Sequence, residues 1–201
     1  MPVEVDAFIA GEADRYTERN AAHNAQYRID DDRVARLVEK FCDAPRTIVD
    51  FGCSTGERLS AMCDRYRALG AGVDASAKAI QTAEARDPHS FWYVNDWTQP
   101  LFDGYDLAIT SYVWHWVSPE VLLRAMYAVH GAVKVGGYLV INDWNYHQDV
   151  PYRHLPGLVT RKRSYQAMFA ATGLFEEVVR EDYYYQDTAE PAICVVLKRI
   201  A

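Results

Sequence analysis

The sequence lacks long apolar runs, closely spaced cysteine pairs and an excess of positive charge. No apolar stretch approaches the ~20 residues needed to span a bilayer, and the first residues lack the basic-then-apolar pattern of a signal peptide. The four cysteines, Cys42, Cys53, Cys63 and Cys194, show neither Cys-x-x-Cys spacing nor an accompanying histidine spacing. These absences predict a cytoplasmic protein in a reducing compartment, with no metal site, no disulfide framework and no membrane partner.

Acidic side chains outnumber basic ones by 28 to 21, which gives a net charge of −7 at pH 7. A surface of this sign repels the phosphates of nucleic acid, so we expect no nucleic-acid partner. One short basic run, Arg161-Lys162-Arg163, has two interpretations, a solvated surface loop or an anion-binding segment. Nothing in the sequence indicates an oligomeric state.

Strand and helix patterns alternate along the chain. Half of the 201 residues are hydrophobic, which suffices for one buried domain, and no linker divides residues 1–201. Apolar positions at helical spacing after Asp30 predict a helix, and five extended segments then alternate with helical ones. We predict these five strands at residues 47–51, 71–74, 91–94, 105–110 and 138–142.

The second half of the chain departs from this regular alternation. A helix opened by Ser118 is predicted to close at the glycine pair 136–137. Residues 143–163 lack a regular pattern and are predicted to form a substrate lid. Two β-rich stretches, 175–185 and 192–198, have no helix-length segment between them, which predicts an antiparallel pair. The expected fold class is therefore α/β, a doubly wound, mainly parallel seven-stranded sheet with an antiparallel strand near one edge.

Polar residues follow the predicted strands, where an open parallel sheet binds its ligands. Gly52 and Gly56 follow the first strand, and their missing Cβ atoms let the backbone approach a ligand closely. Asp74 ends the second strand, where its carboxylate can accept hydrogen bonds from both hydroxyls of a ribose. Residues 95–97, Asn-Asp-Trp, follow the third strand and suit the exocyclic nitrogen and ring face of adenine. Each residue alone also has a structural interpretation, but together they predict a nucleoside ligand.

The loop after the first strand indicates which nucleoside this is. A dinucleotide fingerprint needs Gly-x-Gly-x-x-Gly, whereas here three residues separate Gly52 from Gly56 and Ser54 occupies the middle. Asp50 is expected at the mouth of this loop, where it disfavours a phosphate and favours a cationic amino group or sulfonium. The loop therefore predicts a nucleoside that carries an amino acid.

The segment 49–56 resembles the first motif of the class I S-adenosylmethionine (SAM)-dependent methyltransferases, an acid and a hydrophobe followed by Gly-x-Gly-x-Gly. Ser54 departs from that motif. Residues 8–12, 14–20 and 150–153 are similar to segments of the methylases associated with pseudaminic acid biosynthesis, in which the middle glycine is also commonly missing. The resemblance implies a Rossmann-like fold and SAM as cofactor, with S-adenosylhomocysteine (SAH) as product.

The resemblance further implies an N-terminal helical cap, residues 1–29, that closes over the cofactor. Tyr16, Arg19 and Asn20 lie at i, i+3 and i+4 on one helical face, and Arg19 would pair with the SAM carboxylate. The alternative is the polar face of a short surface helix. The residues expected to contact the cofactor are Tyr16, Arg19, Asn20, Asp50, Gly52, Cys53, Ser54, Gly56, Asp74, Ala75, Asn95, Asp96, Trp97, Thr110 and Ser111.

Methyl transfer from a sulfonium depends mainly on alignment, so a base is needed only when the acceptor carries a proton. His115, which stands between two tryptophans, is either this base or a packed core residue, and Tyr16 and Asp143 are the other catalytic candidates. Arginines in the predicted lid could grip an anionic acceptor in bidentate fashion. The residues expected to bind the acceptor are Tyr112, His115, Trp144, Tyr146, Tyr152, Arg153 and Arg161.

These patterns predict a methyltransferase acting on oxygen or nitrogen of a small, anionic metabolite, such as a sugar acid or a secondary-metabolite intermediate. One alternative is a module that binds SAM without catalysis. A methyltransferase of a macromolecule is disfavoured by the net acidity and by the absence of a recognition domain. A nicotinamide dehydrogenase is disfavoured by the glycine loop.

Overall fold

The computed structural model describes residues 11–96, 102–155 and 158–201. Their strands are β1 (Thr47–Phe51), β2 (Leu69–Asp74), β3 (Phe91–Val94), β4 (Tyr105–Ser111), β5 (Val133–Trp144), β6 (Val150–Leu155), β7 (Leu158–Lys162), β8 (Phe175–Tyr184) and β9 (Pro191–Arg199). Their α-helices are α1 (Ala13–Asn24), α2 (Arg33–Phe41), α3 (Glu57–Tyr66), α4 (Ala77–Arg86), α5 (Pro119–Ala132) and α6 (Tyr165–Ala171). Short 3-10 turns occupy Ile29–Asp31, Trp114–Trp116 and Tyr185–Asp187. Within these ranges, no helix combines the length and the apolar character that crossing a bilayer requires.

Seven strands form the main sheet in the order β3-β2-β1-β4-β5-β9-β8. Strands β1 to β5 are parallel to their neighbours among themselves, whereas β9 is antiparallel to both β5 and β8. Edge strand β8 therefore runs in the same direction as β1. The predicted sheet, mainly parallel with an antiparallel strand near one edge, is confirmed. All of its strands except β9 end at one common edge, and the ligand-binding residues of such folds lie there.

Helices cover both faces of the sheet, which explains why β1 is apolar on both sides. On one face, Val49 belongs to a core shared with α5 and with Phe169 of α6. On the other face, Ile48 packs in a core with Leu37 of α2 and Met62 of α3. Asp50 lies between Val49 and Phe51, so a carboxylate stands within a strand that is buried on both faces.

Strand β5 begins earlier than the sequence predicts. Helix α5 ends at Ala132, and Val133 already pairs with Tyr105 of β4. The glycine pair 136–137 lies inside β5, next to a shift in the pairing register, and Gly136 has a φ of 82°. Pairing with β4 therefore ends the helix before the glycines are reached, and they form a strand irregularity instead of a helix C-terminus.

An antiparallel hairpin, β6–β7, occupies part of the segment 143–163, where the sequence pattern predicts no regular structure. Pro151 argues against a central strand, but both strands of a two-stranded sheet are edges, which tolerate proline. Lys162 of β7 is 2% exposed, and its Nζ lies 3.8 Å from the ring centroids of both Trp144 and Tyr152. The hairpin is thus attached to the end of β5 by a buried cation between two aromatic rings.

Gly72 provides a test of this packing, because a Cβ there would lie 2.4 Å from ring atoms of Trp92 and 2.9 Å from Cys53 Sγ. We expect Gly72→Ala to lower the free energy of unfolding by about 1–3 kcal/mol through overpacking. Gly131 of α5 is the matched control, since a Cβ there meets no atom within 4 Å. Gly131→Ala should raise the free energy of unfolding by up to about 1 kcal/mol in urea titrations. Equal stability of Gly72→Ala and the wild type would contradict the contact with Trp92.

Candidate functional site

A cavity of about 990 Å³ opens at the edge where the parallel strands end. Its walls come from α1, the chain before and at the start of α2, the loops after β1, β2 and β4, and the turn between β8 and β9. Volumes of this size accommodate a cofactor together with a small substrate. Of the residues predicted to bind ligands, those that line it are Tyr16, Asn20, Gly52, Cys53, Ser54, Asp74, Ala75, Asp96, Ser111 and Tyr112.

The loop after β1 turns through three left-handed residues, Gly52, Ser54 and Gly56, with φ values of 77°, 51° and 80°. A Cβ at Gly52 would lie 2.6 Å from Cγ2 of Val113, and one at Gly56 would lie 2.6 Å from Trp92. Both glycines are therefore required by close packing as well as by conformation. Ser54 occupies the middle position of the motif and adopts the conformation that glycine favours, which explains why the related motif has glycine there.

The carboxylate of Asp74 joins the loops after β1 and β2. Its Oδ2 accepts a hydrogen bond from Ser54 N–H at 2.9 Å, and its Oδ1 accepts one from Ser76 N–H at 2.8 Å. Burial raises the pKa of Asp74, while these backbone donors oppose the rise. Each carboxylate oxygen keeps a further lone pair, and the side chain borders the cavity. The arrangement can therefore accept hydrogen bonds from two neighbouring hydroxyls, such as those of a ribose.

Asp50 lies beneath the loop and does not line the cavity, in contrast to the predicted position at its mouth. The residue is 1% exposed, and neither carboxylate oxygen has a hydrogen-bond partner among the described residues. Burial raises the pKa of Asp50 to about 7, although Arg58 lowers it. An unpartnered buried carboxylate is unfavourable, so a cationic group bound above the loop would stabilise its ionised form. The residues present thus fit a ligand with a positively charged amino-acid moiety.

Helix α1 covers the glycine loop from the N-terminal side. Tyr16 and Asn20 line the cavity, and Asn24 Nδ2 donates to Thr55 Oγ1 at 3.0 Å and lies 3.2 Å from Ser54 Oγ. Arg19 is not in the lining, because its guanidinium is paired with the buried carboxylate of Glu12. The structure therefore gives no support to the predicted pairing of Arg19 with a ligand carboxylate.

The loop after β3 contributes Asp96 to the lining, whereas Trp97 lies outside the described residues. Asn95 is not in the lining, and its backbone N–H donates to Asp74 O at 3.0 Å. Cys53 faces the cavity from the glycine loop, and burial raises the pKa of its thiol well above the usual value. The cysteine is therefore a neutral wall residue and not a thiolate nucleophile.

A chain of hydrogen bonds forms the cavity wall after β4 and β5. Tyr112 OH lies 2.6 Å from Tyr183 OH, which donates to Asn142 Oδ1 at 2.5 Å, and Asn142 Nδ2 donates to Ser111 Oγ at 3.0 Å. Tyr112 also has a left-handed backbone, with a φ of 53°. Burial raises the pKa of Tyr112, and it raises that of Tyr183 to about 12. Both tyrosines are therefore neutral phenols that orient hydrogen bonds and do not act as anionic bases.

Tyr183 and Tyr185 were not identified as site residues by the sequence pattern, although both line the cavity. The ring of Tyr185 lies 4.9 Å from that of Tyr112, and each lies 5.0 Å from that of Trp144 between centroids. The available signal was the run of three tyrosines, 183–185, at the end of a predicted strand. Because β8 is parallel to β1, this end meets the same edge as the glycine loop.

His115 and Asp143 are not brought into the cavity. His115 is 9% exposed and packs against Trp116 and Trp144, with ring centroids 5.1 and 6.1 Å apart. Asp143 is fully buried, and its oxygens accept hydrogen bonds from the backbone N–H groups of Trp114 and Trp144 at 3.2 and 2.8 Å. Burial raises the pKa of Asp143 to about 7. Its position indicates a structural role, since it fixes the turn after β4.

The remaining predicted residues also lie outside the cavity lining. Thr110 accepts a hydrogen bond from the indole of Trp114 at 2.9 Å, inside the core. Arg161 and Arg163 both pair with Asp149 at 3.0 Å, so the basic run is partly neutralised. The others outside the lining are Gly56, Trp144, Tyr146 and Tyr152; for Arg153, only the backbone position in β6 is described.

Protonation of Asp50 makes stability depend on pH. The folded chain holds the Asp50 proton more tightly than the unfolded chain does, so stability falls as pH rises from about 4 through about 7. Asp50→Asn removes this loss and should gain roughly 2–4 kcal/mol relative to the wild type between about pH 5 and pH 8. Urea titrations at several pH values measure the difference. The exposed Asp64→Asn controls for the loss of one negative charge, and a pH-independent difference for Asp50→Asn would contradict the raised pKa.

Residues 21–178 match a family model described as a methyltransferase domain. Over 109 residues the chain is 32% identical to the trans-aconitate 2-methyltransferase of Rhodopseudomonas palustris (strain BisA53), a match that covers 52% of this chain and 41% of that protein. Over 66 residues it is 39% identical to the indolepyruvate C-methyltransferase of Streptomyces griseus, covering 33% and 19% respectively. The chain thus spans less than half of the length of these curated relatives.

Solved structures share the fold at low sequence identity. The 1,6-didemethyltoxoflavin-N1-methyltransferase of Burkholderia thailandensis, solved with bound 1,6-didemethyltoxoflavin and SAH, has a TM-score of 0.77 at 12% identity. The match covers 100% of this chain and 91% of that chain. The N-methyltransferase NodS of Bradyrhizobium japonicum WM9, solved with SAH, has a TM-score of 0.68 at 17% identity, covering 92% and 97%. Likenesses at this identity establish the common architecture.

Proposed function

We propose that this chain, which belongs to the methyltransferase domain family, binds SAM in the cavity and transfers the methyl group to oxygen or nitrogen of a small, anionic metabolite. The observation that carries the proposal is the combination of Asp74 with the glycine loop above the buried, unpartnered Asp50. Together they offer hydrogen-bond acceptors for a ribose and a negative charge for an ammonium or sulfonium group. The same negative charges would repel a pyrophosphate.

The residues that would hold the cofactor follow from the cavity walls. Asp74 would accept from the ribose hydroxyls, and Asp96 would accept from the exocyclic amine of adenine. The backbone of the loop 52–56 would lie against the amino-acid portion, with Tyr16 and Asn20 of α1 covering it. Bound SAM supplies an electrophilic methyl group on a positively charged sulfur. The chain itself contributes alignment and the exclusion of water.

The acceptor is assigned to the part of the cavity bordered by Ser111, Tyr112, Asn142 and Tyr183. These side chains are neutral and hydrogen-bonded to one another, so they suit a polar molecule whose position must be fixed. Tyr16 is the one predicted catalytic residue in the lining, and burial raises the pKa of its hydroxyl, so it would orient the acceptor as a neutral phenol. Catalytic roles for His115 and Asp143 remain predictions without support from their positions.

The names of the curated relatives also support a small carboxylate as acceptor. The curated relatives are named for trans-aconitate and indolepyruvate, both of which carry carboxylate groups. A sugar acid, as in the narrower likeness to the pseudaminic acid methylases, belongs to the same chemical class.

The domain organisation stays a prediction: residues 1–201 form a single domain, with 1–29 as cap and 143–163 as lid.

Asp74→Asn tests the cofactor assignment, because the amide offers fewer acceptor sites than the carboxylate and carries no charge. We expect SAH affinity, measured by calorimetry, to fall about 10–100-fold. The matched control is Asp87→Asn, since Asp87 also accepts two backbone hydrogen bonds, from His89 and Ser90, but lies outside this cavity. That control should bind SAH like the wild type. Binding of NAD by the wild type, with SAM and SAH ignored, would refute the proposal.

Transfer itself is tested by following a labelled methyl group from SAM into trans-aconitate, indolepyruvate and a panel of other small carboxylates. We expect SAH release to require one of these acceptors. Tight SAM binding with no transfer to any acidic or neutral small molecule would instead indicate a SAM-binding module without catalysis.

A further inference from the structure

Arg33, the first residue of α2, borders the cavity with a guanidinium whose position is fixed on two sides. Its Nε donates to Glu181 Oε1 at 2.8 Å, and its Cζ lies 3.6 Å from the ring centroid of Tyr183. The first contact sets the rotation of the group, and the second sets its plane against an aromatic face. The side chain is therefore preorganised before any ligand binds.

The terminal nitrogens of Arg33 remain available for binding. Among the described residues, its hydrogen bonds are confined to Nε, so neither Nη group donates to a protein acceptor there. A guanidinium in this state presents two parallel N–H donors, the geometry that a carboxylate or a phosphate accepts in bidentate fashion. The side chain is 30% exposed, so a ligand can reach it from the cavity.

Local charge also favours an anion at this position. Glu181 is shared between Arg33 and Arg36, whose Nη2 lies 3.5 Å from the same oxygen, so the group of three carries a net positive charge. The other arginines of the lining have their own acids: Arg58 pairs with Asp32 at 2.8 Å, and the exposed Arg28 lies 3.7 Å from Asp31. Arg33 also has an acid, Glu181, but this acid is divided between Arg33 and Arg36, so one positive charge of the group of three has no carboxylate of its own.

Tyr183 connects Arg33 to the acceptor region. The ring that supports the guanidinium carries the hydroxyl that bonds to Tyr112 and Asn142. An anion on Arg33 would therefore lie beside this polar wall. Strand β8, which carries Tyr183, lies at the sheet edge opposite β3. The sheet order therefore separates this anion position from Asp74 at the end of β2 and from Asp96 after β3. In the proposed arrangement, negative residues would lie beside the cofactor and Arg33 beside the acceptor, so one cavity would accept two ligands of opposite charge.

Resting on the proposed function, we infer that Arg33 forms the anion subsite of the acceptor and takes a carboxylate group of the methylated molecule. The arginines predicted for this role from the sequence, Arg153 and Arg161, belong to the hairpin segment. Arg161 pairs with Asp149 outside the cavity lining. Specificity for acidic acceptors thus resides in α2 and β8, which the segment 143–163 does not include.

The experiment measures binding of trans-aconitate and indolepyruvate to the SAH-saturated protein by calorimetry. The fully esterified methyl esters of both acids serve as uncharged probes, and inorganic phosphate serves as a second anion. We expect the wild type to bind a carboxylate more tightly than its ester and more tightly than phosphate. Arg33→Met keeps the aliphatic stem over Tyr183 and should weaken carboxylate binding about 10–100-fold. Arg33→Lys should recover part of this loss, because it keeps the charge without the fork.

Arg36→Met is the matched control, since it removes a charge that contacts the same Glu181 but does not line the cavity. Its carboxylate affinity should stay within about twofold of the wild type. Equal loss in Arg36→Met and Arg33→Met, equal binding of acid and ester, or no carboxylate binding by the SAH-loaded wild type would overturn the subsite. Preference for phosphate would overturn the carboxylate assignment. SAH affinity should be unchanged in all variants, so failure of SAH to bind the wild type would count against the proposed function and not against Arg33.

Discussion

The carboxylate of Asp74 holds together the two loops on which the cavity depends. It accepts hydrogen bonds from Ser54 N–H on one side and Ser76 N–H on the other, so the loops after β1 and β2 keep a fixed relation. Ser54 adopts a left-handed conformation, which costs a non-glycine residue about 1–2 kcal/mol, and the bond to Asp74 helps to offset this strain. Ser76 also donates to Asp14 of α1 at 2.6 Å. The glycine loop and the covering helix therefore both depend on one partly buried acid.

A second constraint comes from two adjacent residues at the start of α2. Asp32 accepts from Val34 N–H to begin the helix and pairs with Arg58 of α3, which follows the glycine loop. Arg33 turns the other way and pairs with Glu181 of β8. The N-terminus of α2 thus spans the cavity between the first strand of the sheet and its far edge. Through these contacts, the cofactor region and the proposed acceptor region share one support, so movement of α2 would affect both.

The cofactor side of the cavity could be predicted from the sequence because it consists of short segments that follow individual strands. Gly52, Ser54 and Asp74 lie within three residues of strand ends, and parallel strands bring such ends to one edge whatever the details of packing. The direction in which Asp50 points was not predictable in this way. Asp50 belongs to a strand that is buried on both faces. Only the packing of helices on those faces leaves its carboxylate below the loop, with no hydrogen-bond partner among the described residues.

The acceptor side differed more from expectation. The segment 143–163 has the composition of a lid, yet Arg161 and Arg163 pair with Asp149, and Asp143 accepts hydrogen bonds from the backbone of a turn. Those pairings join residues 12, 14 and 29 positions apart, beyond the spacing within one helix or strand, so no local pattern indicates them. By itself, the sequence determined the alternating elements, the parallel sheet and the glycine loop with its acids, because these follow from spacing along the chain. Only the tertiary structure decided that Arg33 and Tyr183 meet in the cavity. The two residues are 150 positions apart, and they become neighbours only because β8 forms the edge of the sheet and α2 packs across it.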